Sequence, residues 1–207
     1  MSIAHDTHDT HDTHDTHDAR PLRLAVIIGS VREGRFGPTV SRWFAERAAA
    51  REDMTVDLVD LAEPAAALPL GMGEPGDPHT AFAQRLGAAD AFAVVTPEYN
   101  HSYPAALKNV IDWHHGEWQA KPVGFVSYGG LSGGLRAVEH LRPVFAELHA
   151  VTVRDTVSFH DAWSRFDDKG RPLEPAGCDG AAKAMLDQLA WWGHALRTAR
   201  ASRPYGS

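Results

Sequence analysis

From Arg20 onward, short β-branched or apolar runs alternate with longer stretches whose apolar residues fall three and four positions apart. The short runs read as strands: Leu22–Ile28 (LRLAVII), 55–61 (TVDLVDL), 91–96 (AFAVVT), Pro122–Tyr128 (PVGFVSY) and Val151–Phe159 (VTVRDTVSF). Three of them are nearly continuous apolar runs, as expected of parallel strands covered on both faces. The longer stretches read as helices, because Val40, Trp43, Phe44 and Arg47 recur at i, i+3, i+4, i+7, and so do Leu107, Val110, Ile111 and His114. Further helices are predicted over about 80–86, over 134–148, and along a last segment that places Met185, Leu189, Trp192 and Leu196 on one face. Pro143 has no amide hydrogen and is expected to bend or split the fourth helix. Strands alternating with helices predict an α/β fold with a parallel sheet. Five of each in this length suit the flavodoxin-like doubly wound five-stranded sheet, order 2-1-3-4-5, with helices on both faces.

The first 19 residues break this pattern. Residues 5–18 read HDTHDTHDTHDTHD, a period of three that fits neither helix nor strand and offers no apolar anchor. Residues 1–19 are therefore expected to be a disordered tail, and residues 20–207 a single domain. The tail holds five of the 13 histidines and five of the 27 acidic residues but no Lys or Arg, so the remainder is nearly neutral despite a net charge of −7. Its imidazoles and carboxylates suit transition-metal ions, and a solvated repeat that gains charge below about pH 6.5 is the plainer reading. A near-neutral body without clustered Lys and Arg excludes a nucleic-acid binder. With no signal peptide, no run of about 18 apolar residues and one cysteine, Cys178, the expected setting is the reducing cytoplasm, away from membranes.

In an open parallel sheet, ligands bind outside the carboxyl ends of the strands where the strand order reverses, here between the first and third. The loop after strand one, residues 29–39 (GSVREGRFGPT), carries three glycines, two arginines, Ser30 and Thr39 just before a helix that can begin at Pro38. Glycines let N–H groups converge on an anion, and the helix terminus, Arg32 and Arg35 add positive character. This is not a Walker loop, since Arg35 and Phe36 stand where Lys and a hydroxyl are needed, and the spacing of Gly29, Gly34 and Gly37 is not the dinucleotide fingerprint. A phosphate monoester fits best. Two more ligand loops follow strand three, 97–113 (PEYNHSYPAALKNVIDW), and strand four, 127–141 (SYGGLSGGLRAVEHL).

Together these three segments resemble the flavodoxin-like NADPH-dependent FMN reductase family, which includes FMN-binding quinone, azo-dye and chromate reductases. The likeness runs from about Leu22 to Phe159, and PEYNHSYPAALKNVIDW is its most specific part. The resemblance implies that Ser30, Arg32, Arg35, Phe36, Gly37, Pro38 and Thr39 bind the FMN phosphate. It implies that Pro97, Glu98, Tyr99, Asn100, His101 and Ser102 line the isoalloxazine and offer it backbone N–H groups, and that Ser127, Tyr128, Gly129 and Gly130 border the ring from the other side. Lys108, Asn109, Asp112 and Trp113 become supporting residues near a subunit interface. The implied reaction carries hydride from NADPH, with NADH possible, through bound FMN to a small-molecule electron acceptor: a quinone, azo compound, free flavin or metal oxyanion. No catalytic side chain is needed, because the chemistry belongs to the cofactor. Donor and acceptor using one flavin face in turn give ping-pong kinetics, and the family implies a homodimer or dimer of dimers.

Two rival readings stand beside this one. Gly130, Ser132 and Gly134 fit G-x-S-x-G between a strand and a helix, so a serine hydrolase using Ser132 with Asp161 or Asp187 and His194 is the first. A flavodoxin-type electron carrier is the second, disfavoured by the near-neutral body and the two loop arginines. Other features read as incidental: the sequon at Asn100, the pair His114 and His115, and the thiol of Cys178. Trp191 and Trp192 are expected to pack the last helix on the sheet or at a subunit contact.

Overall fold

The structure, a computed structural model, describes residues 20–66 and 77–206, so the expected tail lies outside the described residues. Five parallel strands, β1 (Leu22–Ile28), β2 (Met54–Asp60), β3 (Ala91–Pro97), β4 (Pro122–Tyr128) and β5 (Val151–Phe159), form one sheet in the order β2-β1-β3-β4-β5. The connecting helices are α1 (Gly37–Ala49), α2 (Asp77–Gly87), α3 (Ala105–Trp113) and α4 (Leu135–Glu147), and α5 (Pro175–Ser202) closes the described chain. Every predicted strand and helix is present, three strands with the expected bounds.

Period-two alternation divides the strands between two apolar cores. Leu22, Leu24 and Val26 of β1 and Ala91, Ala93 and Val95 of β3 face α1 and α5. Ala25 and Ile27, with Phe92 and Val94, face α2, α3 and α4 on the opposite side, where Trp118 is fully buried against Phe92 and Phe145. With both faces covered, β3 and β4 have no exposed residue, which is why they read as continuous apolar runs. At Gly124 of β4 an added Cβ would lie 3.0 Å from the Met185 sulfur and 3.2 Å from Leu189. Glycine there lets α5 press onto the sheet.

Two expectations need correction. Pro143 neither splits nor ends α4, which runs as one 13-residue helix through it. Pro143 is exposed, so the carbonyl deprived of its partner one turn earlier faces water. The buried stripe of α5 is Ala182, Met185, Leu186, Leu189, Ala190 and Gly193, not the Met185, Leu189, Trp192, Leu196 row. Gly193 sits directly on Leu22, and this contact turns the helix so that Trp191 and Trp192, 65% and 37% exposed, stack edge-to-face on each other instead of on the sheet.

Candidate active site at the carboxyl ends of the strands

The strand order reverses between β1 and β3, and the loops that leave them are stitched together there. The Ser30 and Tyr99 hydroxyls lie 2.6 Å apart, and Ser30 Oγ also accepts the N–H of Arg32 at 3.4 Å. The Arg32 guanidinium stacks over the Tyr99 ring at 4.6 Å, is exposed, and has no ion-pair partner among the described residues. Around the head of α1, the N–H groups of Ser30, Val31, Phe36 and Gly37 have no acceptor among the described residues. Free N–H donors, a helix N-terminus and a cation without an ion-pair partner are the components from which an anion site can be built.

Arg35 is placed differently from Arg32. Its guanidinium bonds Asp60 at the end of β2, its side chain is 19% exposed, and its buried Nε has no acceptor. Asp60 thus anchors one arm of Arg35 and leaves a buried donor unsatisfied. Phe36 and Thr39 turn their side chains away from these donors. The Phe36 ring packs edge-on against Tyr128 and Phe166, and the Thr39 methyl lies near Gly170. Gly37 is required by contact, since an added Cβ would meet the Tyr128 hydroxyl at 2.9 Å and Ile28 at 3.1 Å. Pro38 occupies the first turn of α1.

After β3 the chain makes a tight two-residue hairpin. Tyr99 and Ser102 exchange backbone hydrogen bonds of 2.8 and 3.1 Å, and Asn100 and His101 at its tip have φ of 50° and 74°. Left-handed geometry at both central positions is that of a type I′ turn, which asparagine accommodates well. The exchange spends the N–H groups of Tyr99 and Ser102, so the donors left are those of Glu98, Asn100 and His101. The Glu98 carboxylate points away from this tip. It accepts Ser132 Oγ at 2.6 Å, the Arg136 N–H at 3.2 Å and the Arg136 guanidinium at 2.9 Å. Burial works to raise the Glu98 pKa, but the bonds from Ser132 and Arg136 outweigh it and hold the carboxyl below its ordinary range.

The loop after β4 presents backbone rather than side chains. Ser127 is fully buried and donates to Gly133 O at 2.8 Å, and Tyr128 is 3% exposed beneath Gly37, its pKa raised chiefly by burial. Ser30 influences the Tyr128 hydroxyl electrostatically without closing a well-aligned hydrogen bond. The Gly129 N–H is given to Phe159 O, while Gly130 has open space where a side chain would be. Hence Ser127 and Tyr128 hold the loop and Gly130 leaves room in front of it.

Ser132 is committed to Glu98; Asp161 comes beside this loop, its N–H bonding Gly130 O at 3.1 Å, but no bond joins it to Ser132 or His194, and the other two candidates lie elsewhere. Asp187 pairs with Arg51 and Lys183, and His194 sits beside Arg197, which bonds Arg20 O and Asp90 near the strand beginnings. A seven-residue strand separates that end from Ser132 by roughly 20 Å. Among the described residues no group of three or more metal-ligating side chains occurs, and no helix is long and apolar enough to cross a membrane. Asp60, Arg136 and His140 take part in the site without having been singled out from sequence. Asp60 ends a strand beside the loop, a position that could have flagged it, whereas Arg136 and His140 read as ordinary polar positions of α4.

A flavodoxin-like sheet with the components of an anion site after β1 and a hairpin of free N–H groups after β3 defines a mononucleotide-binding class of α/β protein. A model of the family described as NADPH-dependent FMN reductase matches residues 22–164, and the chain belongs to that family. An NAD(P)H-dependent FMN reductase of Schizosaccharomyces pombe is 40% identical over 124 residues, 54% of this chain and 60% of that protein's length. A 2-hydroxy-1,4-benzoquinone reductase of a Burkholderia species is 33% identical over 183 residues, 83% of this chain and 96% of that one. Among solved structures, the flavoenzyme NAD(P)H:(acceptor) oxidoreductase of Paracoccus denitrificans superposes with a TM-score of 0.67 at 21% identity, covering 84% of this chain and 98% of that one.

Proposed function

We propose that the protein is an FMN-dependent oxidoreductase that takes electrons from NADPH, or NADH, and delivers them to a small acceptor of the quinone type, with azo compounds, free flavins and metal oxyanions as further acceptors. The observation that carries this reading is the unsatisfied donor set at the head of α1: four free N–H groups, the unpaired Arg32 and the buried Nε of Arg35. That set fits the terminal phosphate of FMN in charge and in donor number. Bound FMN would supply hydride acceptance and electron delivery. Arg32 and the α1 terminus would hold the phosphate, Arg35 would support it from the Asp60 side, and the N–H groups of Glu98, Asn100 and His101 would face the ring's polar edge. Preorganised donors of this kind stabilise negative charge as it develops. No side chain serves as nucleophile.

Donor and acceptor take turns at one opening in this reading, so initial rates follow a double-displacement pattern with parallel double-reciprocal lines. Residues 20–207 act as one domain, assembled as a homodimer or dimer of dimers in the cytoplasm. The test is a visible spectrum of protein saturated with FMN, desalted, then mixed anaerobically with NADPH. Retained yellow colour that bleaches supports a reductase. Retained colour that persists points to an electron carrier, and a colourless protein removes the reading.

A further inference from the structure

Reducing a quinone to a hydroquinone consumes two electrons and two protons. A nicotinamide donor supplies a hydride, which is two electrons and one proton, so the second proton comes from solution through the protein or directly. Beside the hairpin after β3 the structure places two imidazoles, His140 and His101. His140, exposed on α4, has its Nδ1 3.0 Å from Ser102 Oγ of the hairpin after β3. The His101 ring at the hairpin tip lies 6.1 Å from the His140 ring, and His101 is held there in a left-handed backbone conformation with φ 74°, which costs a side-chain-bearing residue free energy.

The charged groups around this pair are already committed. On α4, one turn away, the Arg136 guanidinium bonds Glu98, and Glu139 bonds Arg142. On α3, Lys108 and Asp112 pair with each other. Among the described residues no carboxylate bonds either imidazole. Ser102 has both a donor and acceptor capacity on one oxygen, which lets it pass a proton from His140 toward a ligand lying along the hairpin.

We infer that His140, through Ser102 and beside His101, supplies the second proton to the acceptor during quinone reduction. The step is balanced: the acceptor oxygen gains a proton from the Ser102 hydroxyl, the hydroxyl is restored from His140, and His140 takes up the one solvent proton that the overall reduction consumes. This rests on the proposed reductase activity and adds an acceptor-side role for the His140 imidazole and the Ser102 hydroxyl beside a hairpin whose backbone N–H groups face the flavin in that reading.

The test compares His140→Gln with the parent protein, both loaded with FMN. Glutamine retains a hydrogen bond to Ser102 but cannot ionise. Three readouts are taken: FMN affinity by fluorescence, single-turnover bleaching by NADPH, and steady-state turnover with 1,4-benzoquinone and with ferricyanide, a one-electron acceptor that takes no proton. The expected result is roughly a tenfold or larger loss with benzoquinone. Ferricyanide turnover, bleaching and FMN affinity stay within about twofold. An equal loss with both acceptors, or an unchanged benzoquinone rate, overturns the inference. A parent protein that neither binds FMN nor bleaches with NADPH defeats the underlying reductase reading instead, so the two failures are told apart.

Discussion

The hydroxyl of Ser30 at the end of β1 and that of Tyr99 after β3 lie 2.6 Å apart, directly across the point where the strand order reverses. This bond joins the anion-binding loop to the hairpin whose free N–H groups face the same opening. Tyr99→Phe removes it and keeps only the ring on which Arg32 stacks. A loss of about 1 kcal/mol of unfolding free energy is expected, measured by urea denaturation without FMN. An unchanged midpoint would mean that the two loops hold their positions independently.

Arg32 and Arg35 are predicted to fail differently. Arg32→Ala deletes an exposed cation that has no ion-pair partner among the described residues and only stacks on the Tyr99 ring, so stability should change little while FMN affinity falls by about 1.5–3 kcal/mol, roughly ten- to a hundredfold in Kd. Riboflavin, which lacks the phosphate, should bind both proteins alike. Arg35→Ala leaves Asp60 without its partner and is expected to lower stability as well as affinity. Parallel FMN and riboflavin titrations with thermal melts separate the two.

Glu98 gives a pH dependence whose sign follows from its lowered pKa. A carboxyl with a folded pKa below its unfolded value contributes stability above about pH 4.3, lost as pH falls through the folded pKa. Glu98→Gln should therefore cost about 1.5–3 kcal/mol at pH 7, since bonds from Ser132 and Arg136 are weakened, and progressively less below pH 4. Urea unfolding at both pH values provides the check. A difference that does not narrow in acid would contradict the assignment.

Ser132 spends its proton on Glu98, so a fluorophosphonate probe is expected to leave the protein unlabelled. Covalent labelling at Ser132 on mass spectrometry would revive the hydrolase reading.

At Gly37 the constraint is steric. Gly37→Ala drives a methyl against the Tyr128 hydroxyl and should destabilise by about 1–3 kcal/mol. Adding Tyr128→Phe removes the obstructing oxygen, so the double variant should recover part of the loss. Additive losses in calorimetry would show that Ile28, 3.1 Å away, is the true obstacle.

What the sequence determined by itself is the set of elements, the sheet order and the three loops. Each follows from rules that act over a few residues: period-two runs buried on both faces, i, i+3, i+4 apolar rows, and glycines beside arginines before a helix. Tertiary structure alone decided where the side chains of those loops point. Glu98 faces Ser132 and Arg136, Arg35 faces Asp60, Tyr128 lies under Gly37, and His140 meets Ser102. Each of these partners is at least 25 residues away, and no local periodicity encodes which of several polar groups will be nearest once two helices settle on a sheet. The same reason explains α5, whose helical period was legible but whose rotation was set by the fit of Gly193 on Leu22.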